Sequence, residues 1–365
     1  MKIKEIVSAL ERFAPLPLQD GFDNAGLQVG LTDVEATGAL LCLDVTESVI
    51  EEAIKLGFNL IIAHHPLIFK GIKSITGKTY VERCILKAVK NDITIYAAHT
   101  NIDNVVGGVN FKIAGKIGLK NVQPLAQQEN SLVKLVTFVP SEYIENVRNA
   151  LFEAGCGDIG NYSCCSYSLE GEGTFLAKEG TKPFVGQHGE VHKEKEIRIE
   201  TILPVFKMRN VKETLLNVHP YEEPAYDFYP VLNSWQQAGS GVIRELEESI
   251  AEPEFLSSIK ELFKTGCIKH SRFTGKKIKK VALCGGSGAF LLPKAIQNKA
   301  DIFITGEIKY HEYFEWEQQI LMAEIGHYES EQYTQELFSD VLHHLYPSLP
   351  MQITTINTNP IKYLL

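Results

Sequence analysis

The sequence contains neither a long apolar run nor an excess of basic residues, and both absences exclude classes of protein. No apolar stretch of the 365-residue chain approaches the roughly 20 residues that cross a bilayer. The amphipathic N-terminus, MKIKEIVSALERFAP, lacks the continuous apolar core of a signal peptide. Lysine and arginine total 36 against 45 aspartate and glutamate residues, a formal net charge of −9, which argues against nucleic acid as the main partner. We therefore expect a cytoplasmic protein without membrane contact.

Cysteine pairs spaced for a thiolate zinc site are also missing. The seven cysteines are scattered and odd in number, and none forms a Cys-x-x-Cys pair. They are Cys42, Cys84, Cys156, Cys164, Cys165, Cys267 and Cys284. This distribution predicts free thiols in a reducing compartment, with the adjacent Cys164 and Cys165 at ordinary strand positions rather than in a redox pair.

Three regions differ in their pattern of strands and helices, and a chain of this length is expected to form about two domains. Residues 1–127 and 237–365 alternate apolar, strand-like runs with helical stretches. Strands that are apolar on both faces are typical of a sheet covered by helices, so we expect one three-layer α/β/α domain with a mixed sheet. Residues 128–236 follow the order β-α-β-β-α-β, which predicts a ferredoxin-like α+β domain inserted into a loop of the first.

Histidines and carboxylates follow several predicted strands of the α/β region. They are His64 and His65 at the end of NLIIAHHP, Asp103 after DITIYAAHTNI, His327 at the end of ILMAEIGH, and Glu331 four residues later. Because ligands of open α/β sheets bind outside the carboxyl ends of the strands, we expect these segments to meet at one edge of one sheet. Imidazole and carboxylate groups suit divalent transition metals. Five such ligands are too few to saturate two ions, which leaves open positions as in catalytic sites.

The spacing of these residues favours two ions over one. Adjacent residues of an extended segment point to opposite sides, so His64 and His65 are expected to bind neighbouring ions. A helix over 327–331 places His327 and Glu331 on one face, where the carboxylate can bridge two metals. The alternative for each residue alone is a solvent-exposed, hydrogen-bonded or helix-capping side chain. Their joint placement after strands favours the metal site.

Other polar segments leave two interpretations open. The CGGSG turn at 284–288 either binds an anion through its backbone N–H groups or only makes a tight turn before a helix. Glu307 and His311 follow another predicted strand. They either begin a helix or act beside the ligands in orientation and proton transfer. The basic stretch at 269–280 is interpreted as a solvated loop.

Seven segments carry the most specific information in the chain. They are DNAGLQVG (23–30), LDVTESVIEEA (43–53), HHPLIF (64–69), HTNID (99–103), CGGSG (284–288), TGEIKYHE (305–312) and IGHYESE (325–331). Together they resemble the NIF-three-like dinuclear metal-centre family, whose members are also named GTP cyclohydrolase I type 2 homologues. Within residues 128–236, GEVHKEKEIRIETILP and NVHPYEEPAYDFYPV resemble the CutA/P-II-like insert of the longer bacterial members. Ala25 departs from the family, in which DNWGLQVG is common.

This resemblance implies a toroidal homohexamer with two divalent ions per subunit, of which zinc and iron are the expected metals. The implied metal ligands are His64, His65, Asp103, His327 and Glu331. In our assignment on the family's motifs, His65 and Asp103 bind one ion, His64 and His327 bind the other, and Glu331 bridges them.

The family name also implies a reaction. It points to a metal-dependent hydrolase in which metal-bound hydroxide attacks a nucleotide-like substrate, for example the imidazole ring of GTP with loss of formate. His99 and His311 are the candidate catalytic residues, because imidazoles beside the ligands can transfer protons. Phosphoester hydrolysis would use the same centre. The alternative function is a non-catalytic metal-binding or regulatory hexamer gated by its CutA/P-II-like inserts.

Overall fold

The computed structural model describes residues 1–364 and contains two compact units. One unit is Met1–Ala126 together with the segment that begins at Ala238, and the other is Gln127–Gln237. Among the described residues, no helix combines the length and the apolar composition that crossing a membrane requires.

The helices and strands have the following bounds. Up to residue 128 they are α1 (Ile3–Phe13), β1 (Gly26–Val29), β2 (Ala39–Cys42), α2 (Glu47–Leu56), β3 (Leu60–Ala63), α3 (Tyr80–Lys90), β4 (Thr94–Ala97), α4 (Thr100–Asn104), α5 (Val109–Ile117) and β5 (Gln123–Gln128). Next come β6 (Leu132–Pro140), α6 (Ile144–Glu153), β7 (Ser166–Leu176), β8 (Val191–Pro204), α7 (Met208–Val218) and β9 (Tyr226–Val231). The last are β10 (Trp235–Ala251), α8 (Glu252–Phe263), β11 (Lys269–His270), β12 (Lys277–Cys284), α9 (Leu292–Gln297), β13 (Ile302–Thr305), α10 (Tyr310–Trp316), β14 (Leu321–Glu324), α11 (His327–Glu331), α12 (Thr334–Leu345) and β15 (Met351–Ile353).

The α/β unit contains two mixed sheets where the sequence analysis expects one. The first has the order β1-β4-β3-β2-β15, with β1 antiparallel to β4 and the other pairs parallel. The second has the order β11-β14-β13-β12-β10-β5, with β12, β13 and β14 parallel to one another. The expectation of a single sheet is wrong because the apolar pattern of a strand specifies its burial but not its neighbours.

Helices α1, α5, α8 and α12 contribute to a core that joins the two sheets. Their apolar residues form one cluster with Ile62 of β3 and Ile304 of β13. On its other face the first sheet packs against α2 and α3, and the second sheet packs against α9 and α10. Both sheets are therefore covered on their two faces, which is why their parallel strands are apolar at nearly every position.

Helix α2 shows how local sequence signals fix an element of this unit. The hydroxyl of Thr46 accepts a hydrogen bond from the backbone N–H of Val49 at 3.3 Å, which caps the helix N-terminus. Gly57 ends the helix with a φ of 71°, a left-handed conformation that favours glycine. Residues at both ends of α2 therefore determine where this helix begins and ends.

The unit Gln127–Gln237 has a four-stranded antiparallel sheet in the order β7-β8-β6-β9. Its elements follow the predicted order β-α-β-β-α-β. Leu135 of β6 and Ile199 of β8 form a core with Leu151 of α6 and Leu215 of α7. The two helices therefore cover one face of the sheet.

Candidate metal centre

The five predicted ligands come together where strands of both sheets end. They are His64 and His65 directly after β3, Asp103 in α4 after β4, and His327 and Glu331 at the two ends of α11 after β14. Residues 327–331 are helical, which is the condition for His327 and Glu331 to share a face, and His327 Nε2 lies 3.2 Å from Glu331 Oε2. The expected meeting at the ends of strands is therefore found, although the strands belong to two sheets.

The five residues form two groups that share Glu331. In the first group, His64 Nε2 lies 3.8 Å from Asp103 Oδ1 and 3.7 Å from Glu331 Oε1. In the second, Glu331 Oε2 lies 3.1 Å from His65 Nε2 and 3.2 Å from His327 Nε2. Ligand atoms bound at about 2.1 Å around a tetrahedral ion would be about 3.4 Å apart, which is close to these distances. These groups differ from the expected pairing, because His64 lies beside Asp103 and His65 lies beside His327.

His64 tests whether these residues fit a metal ion. Its side chain is fully buried, and its Nδ1 donates a hydrogen bond to the carbonyl oxygen of Ala98 at 2.9 Å. The proton therefore lies on Nδ1, and Nε2 presents a lone pair that has no hydrogen-bond partner. A buried polar atom without a partner costs about 1–3 kcal/mol. A cation beside the carboxylates of Asp103 and Glu331 would satisfy it, so the residues fit a divalent metal.

Two further carboxylates orient the other histidines. His65 Nδ1 donates to Asp44 Oδ1 at 2.7 Å, and His327 Nδ1 donates to Glu307 Oε1 at 2.9 Å. Both rings therefore direct Nε2 toward Glu331. Metal-binding histidines have this arrangement, in which the second ring N–H donates to a carboxylate or a carbonyl group. The role of Asp44 was not predicted, although this residue lies within the LDVTESV segment.

The charges of the cluster depend on protons shared between imidazoles and carboxylates. Burial opposes protonation of His65, but Asp44 and Glu331 raise its pKa to about 10. Burial opposes protonation of His327 too, and Glu331 raises its pKa to about 9. Burial also opposes ionisation of Glu331, yet the hydrogen bonds of the imidazoles, His327 first, hold its pKa well below the ordinary range. Burial raises the pKa of Asp103, and the nearby negative charge of Glu331 raises it further.

His99 lies beside the cluster and has a carboxylate of its own. Its ring centroid is 5.3 Å from that of His64 and 5.5 Å from that of His65. Its Nδ1 donates to Asp23 Oδ1 at 2.7 Å, and Asp23 also accepts from the backbone N–H of Thr100 at 3.0 Å. Burial opposes ionisation of Asp23, but the hydrogen bonds from His99 and Thr100 lower its pKa to about 2. Asp23 is therefore ionised and orients the His99 ring through this hydrogen bond. This residue was not among the predicted site residues.

Of the two expected proton-transfer histidines, only His99 lies at this site. His311 is exposed on α10, where its ring contacts that of Tyr310 at a centroid distance of 5.3 Å. It does not line the cavity beside the cluster. Glu307 is the residue of that segment that reaches the cluster, through His327.

The glycine turn at 284–288 uses its backbone N–H groups within the protein. Gly285 donates to Asn110 Oδ1 at 2.9 Å, and Gly286 donates to Ser330 Oγ at 3.0 Å. Gly288 donates to a threonine hydroxyl in the same way. Gly286 has a φ of +60°, and a Cβ there would lie 2.3 Å from Glu331 Oε1. These contacts favour the tight-turn interpretation, in which glycine lets the chain approach Glu331 closely.

A cavity of about 430 Å³ opens beside the cluster. Phe22, Phe69 and Phe290 line it and are 67%, 46% and 64% exposed, so three large aromatic side chains face solvent at its edge. Cys284 also lines the cavity, and burial raises the pKa of its thiol. No lysine or arginine is present among the described residues that line this cavity.

Known proteins resemble this chain over most of its length. A protein of Halalkalibacterium halodurans named GTP cyclohydrolase 1 type 2 homolog is 43% identical over 307 residues, which cover 84% of this chain and 82% of the relative. A Staphylococcus epidermidis protein of the same name is 35% identical over 367 residues, with full coverage of both. The crystal structure of a Bacillus cereus protein related to NIF3 has a TM-score of 0.85 and 36% identity, covering 100% of this chain and 99% of that one. Residues 1–360 match the Duf34/NIF3 (NGG1p interacting factor 3) family, and the chain therefore belongs to that family.

Proposed function

We propose that this protein binds two divalent metal ions per subunit and acts as a metal-dependent hydrolase on a nucleotide-like substrate. The buried, unpartnered Nε2 of His64 is the observation that carries this proposal. His64 and Asp103 would hold one ion, His65 and His327 would hold the other, and Glu331 would contribute one carboxylate oxygen to each. This mixture of imidazole and carboxylate ligands suits zinc or iron.

The ions would supply Lewis-acid activation of water and of a substrate oxygen when bound. The chain supplies the proton transfer. His99 lines the cavity, and its Nδ1 is held by Asp23, so its Nε2 is the atom that would accept a proton from water and return it to the leaving group. The Asp23 carboxylate would stabilise the imidazolium that forms on His99. Asp44 and Glu307 would keep the other rings oriented.

The aromatic edge of the cavity supports a substrate with a flat ring. The ring centroids of Phe22 and Phe69 are 6.3 Å apart, and Phe290 lines the same cavity. Stacking of a base on an aromatic side chain contributes about 1–3 kcal/mol. Clusters of exposed apolar side chains mark ligand-binding or interaction sites. A nucleobase fits this chemistry, in agreement with the name that the relatives carry.

Two hydrolytic reactions are compatible with this centre. The relatives' name suggests ring opening of GTP with release of formate. The cavity lining, however, has no lysine or arginine among the described residues, and three N–H groups of the glycine turn are already bonded. A phosphate group would therefore find positive charge only at the bound metals, and this favours phosphoester hydrolysis.

The test is a metal and product assay on purified protein. Metal content would be measured first, and GTP, nucleotides and phosphodiesters would then be assayed for formate and phosphate release. The variants would be Glu331→Ala and the control Glu336→Ala, which removes a half-buried carboxylate on α12 that pairs with Lys116. We expect Glu331→Ala to lose metal and activity together while the control keeps both. A metal-loaded wild type that releases no product from any of these substrates would contradict the hydrolase.

We further propose that the protein is a cytoplasmic homohexamer whose residues 128–236 are an inserted CutA/P-II-like domain. The β-α-β-β-α-β order supports the insert, and seven free cysteines support a reducing compartment. Six chains of 40.8 kDa would give a particle of about 245 kDa in light scattering. Full metal content without turnover would instead favour the alternative, a non-catalytic metal-binding or regulatory hexamer.

A further inference from the structure

The unit Gln127–Gln237 contains a cavity of about 720 Å³, within the range of small-molecule sites. Phe138 of β6, Arg198 of β8 and Leu169 of β7 pair across the sheet and all line the cavity. They point away from α6 and α7, because Ile199, the next residue on β8, belongs to the core beneath these helices. The cavity therefore uses the sheet face that the helices leave uncovered.

Aromatic side chains form the walls of this cavity. The ring of Tyr221 lies 6.4 Å from that of Phe175 and 6.0 Å from that of Phe184, measured between centroids. Phe138 lines the cavity too, and Phe184 is 49% exposed. Such a lining suits an aromatic or large apolar group of a ligand.

Two opposite charges lie on the same face of β8 without pairing with each other. Glu196 and Arg198 are two residues apart on the strand, a separation of about 7 Å. Arg198 Nη2 contacts Glu200 at 2.7 Å, whereas its Nε is buried and has no hydrogen-bond partner. Within residues 1–364, no ion pair joins Glu196 to Arg198 or to another cation. On this strand the cavity therefore offers a donor group at Arg198 and an acceptor group at Glu196. Its lining also includes the charged residues Lys178, Glu170, Glu172, Glu222 and Glu223.

Gly171 keeps that space open. It pairs with Glu196 across the β7–β8 hairpin, and a Cβ at this position would meet no atom within 4 Å. Its φ is not in the left-handed region, so the backbone does not require glycine here. The absence of a side chain at Gly171 leaves empty space beside Glu196.

We propose that this cavity binds a zwitterionic amino acid with an aromatic or large apolar side chain. Arg198 would pair with the ligand carboxylate, Glu196 would pair with the ammonium group, and the aromatic walls would hold the side chain. A ligand with a single charge would be attracted by one of these two residues and repelled by the other. This inference concerns the unit Gln127–Gln237 alone and does not rest on the hydrolase proposed above.

The first test compares three ligands that differ only in charge. Isothermal titration of the full-length protein would use L-phenylalanine, phenethylamine, which lacks the carboxylate, and 3-phenylpropionate, which lacks the ammonium group. We expect L-phenylalanine to bind and each analogue to bind about tenfold more weakly or worse, because a charge-assisted hydrogen bond is lost. Equal binding of either analogue, or no binding of L-phenylalanine, would overturn the proposal.

The second test fills the cavity by substitution. Gly171→Val should abolish binding of L-phenylalanine without lowering the melting temperature, because its side chain enters open space in a strand. Ser166→Val, on the same strand and the opposite face, is the matched control and should bind normally. Arg198→Met keeps the apolar stem of the side chain but removes its charge. It should weaken the binding of L-phenylalanine about tenfold and leave the binding of phenethylamine unchanged. Undiminished L-phenylalanine binding by both Gly171→Val and Arg198→Met would contradict the assignment.

Discussion

Two histidines are buried within residues 1–364, and each unit contains one. His219, in the unit Gln127–Gln237, donates from Nε2 to the carbonyl oxygen of Phe138 at 2.9 Å and accepts at Nδ1 from the N–H of Tyr221 at 3.1 Å. His64, in the α/β unit, donates from Nδ1 to a carbonyl oxygen, and its Nε2 has no partner. Both residues are buried, but the backbone satisfies both ring nitrogens only in His219.

Two buried carboxylates differ in the same way. Glu82 accepts hydrogen bonds from the N–H and the hydroxyl of Thr76, from the N–H of Lys78 and from the hydroxyl of Thr79, so the protein itself satisfies its charge. Glu331 faces three imidazoles instead. A buried polar group that the chain satisfies is structural, whereas one that faces other metal-binding groups is available to a cation.

The largest expected effect is that of His64→Ala on metal binding. Loss of this imidazole should lower the affinity for the ion beside Asp103 about 100-fold or more. Even the loss of a residue that only hydrogen-bonds to a metal ligand lowers metal affinity about 10–100-fold. Elemental analysis should show at least one ion fewer per subunit. The melting temperature of the metal-free protein should fall less than that of His219→Ala, because His64 makes one hydrogen bond and has one unsatisfied atom, whereas His219 makes two hydrogen bonds. Full metal content in this variant would refute the role of His64.

His219→Ala should show the opposite behaviour. It leaves the Phe138 carbonyl and the Tyr221 N–H without partners and opens a cavity, so we expect a loss of about 2–4 kcal/mol in the free energy of unfolding. Chemical denaturation of the full chain would measure this loss. Metal content should equal that of the wild type. A variant that loses metal while keeping its stability would abolish the distinction between the two histidines.

Asp44→Asn should have a smaller effect on metal binding. The amide oxygen can still accept from His65 Nδ1, but the negative charge that makes the imidazole more basic is removed. We expect about tenfold weaker binding at the His65 position, measured by competition with a chelator. Asp33→Asn, at an exposed carboxylate that pairs with Lys2, is the control and should bind metal normally. Equal metal affinity of the two variants would show that Asp44 does not strengthen metal binding by His65.

The smallest effect is a dependence on pH at Glu82. Its hydrogen bonds, those from Thr76 first, lower its pKa from 4.5 to about 2. Because the folded-state pKa is depressed, the carboxylate contributes stability above about pH 4.5, and this contribution is lost as the pH falls toward 2. The melting temperature of Glu82→Gln should therefore lie below that of the wild type at neutral pH, and the gap should narrow in acid. A gap independent of pH would exclude the charge as its cause.

Local and periodic signals determined much of this protein. Thr46 and Gly57 mark the start and the end of α2. The β-α-β-β-α-β order of the middle region follows from the alternation of apolar runs with helical patterns. Histidines after apolar strands indicated where the cluster forms, since the ends of neighbouring strands meet in α/β folds. The four-residue spacing of His327 and Glu331 indicated that they would share a face if this segment were helical, as it is in α11.

Only the tertiary structure decided how these parts combine. The presence of two sheets, the pairing of His64 with Asp103, and the support of His65 by Asp44 and of His99 by Asp23 all depend on contacts between distant segments. A strand sequence specifies which faces are buried but not which strand lies beside it. The orientation of an imidazole likewise depends on the hydrogen-bond partner that packing brings to Nδ1, and that partner cannot be read from the residues next to it in the chain.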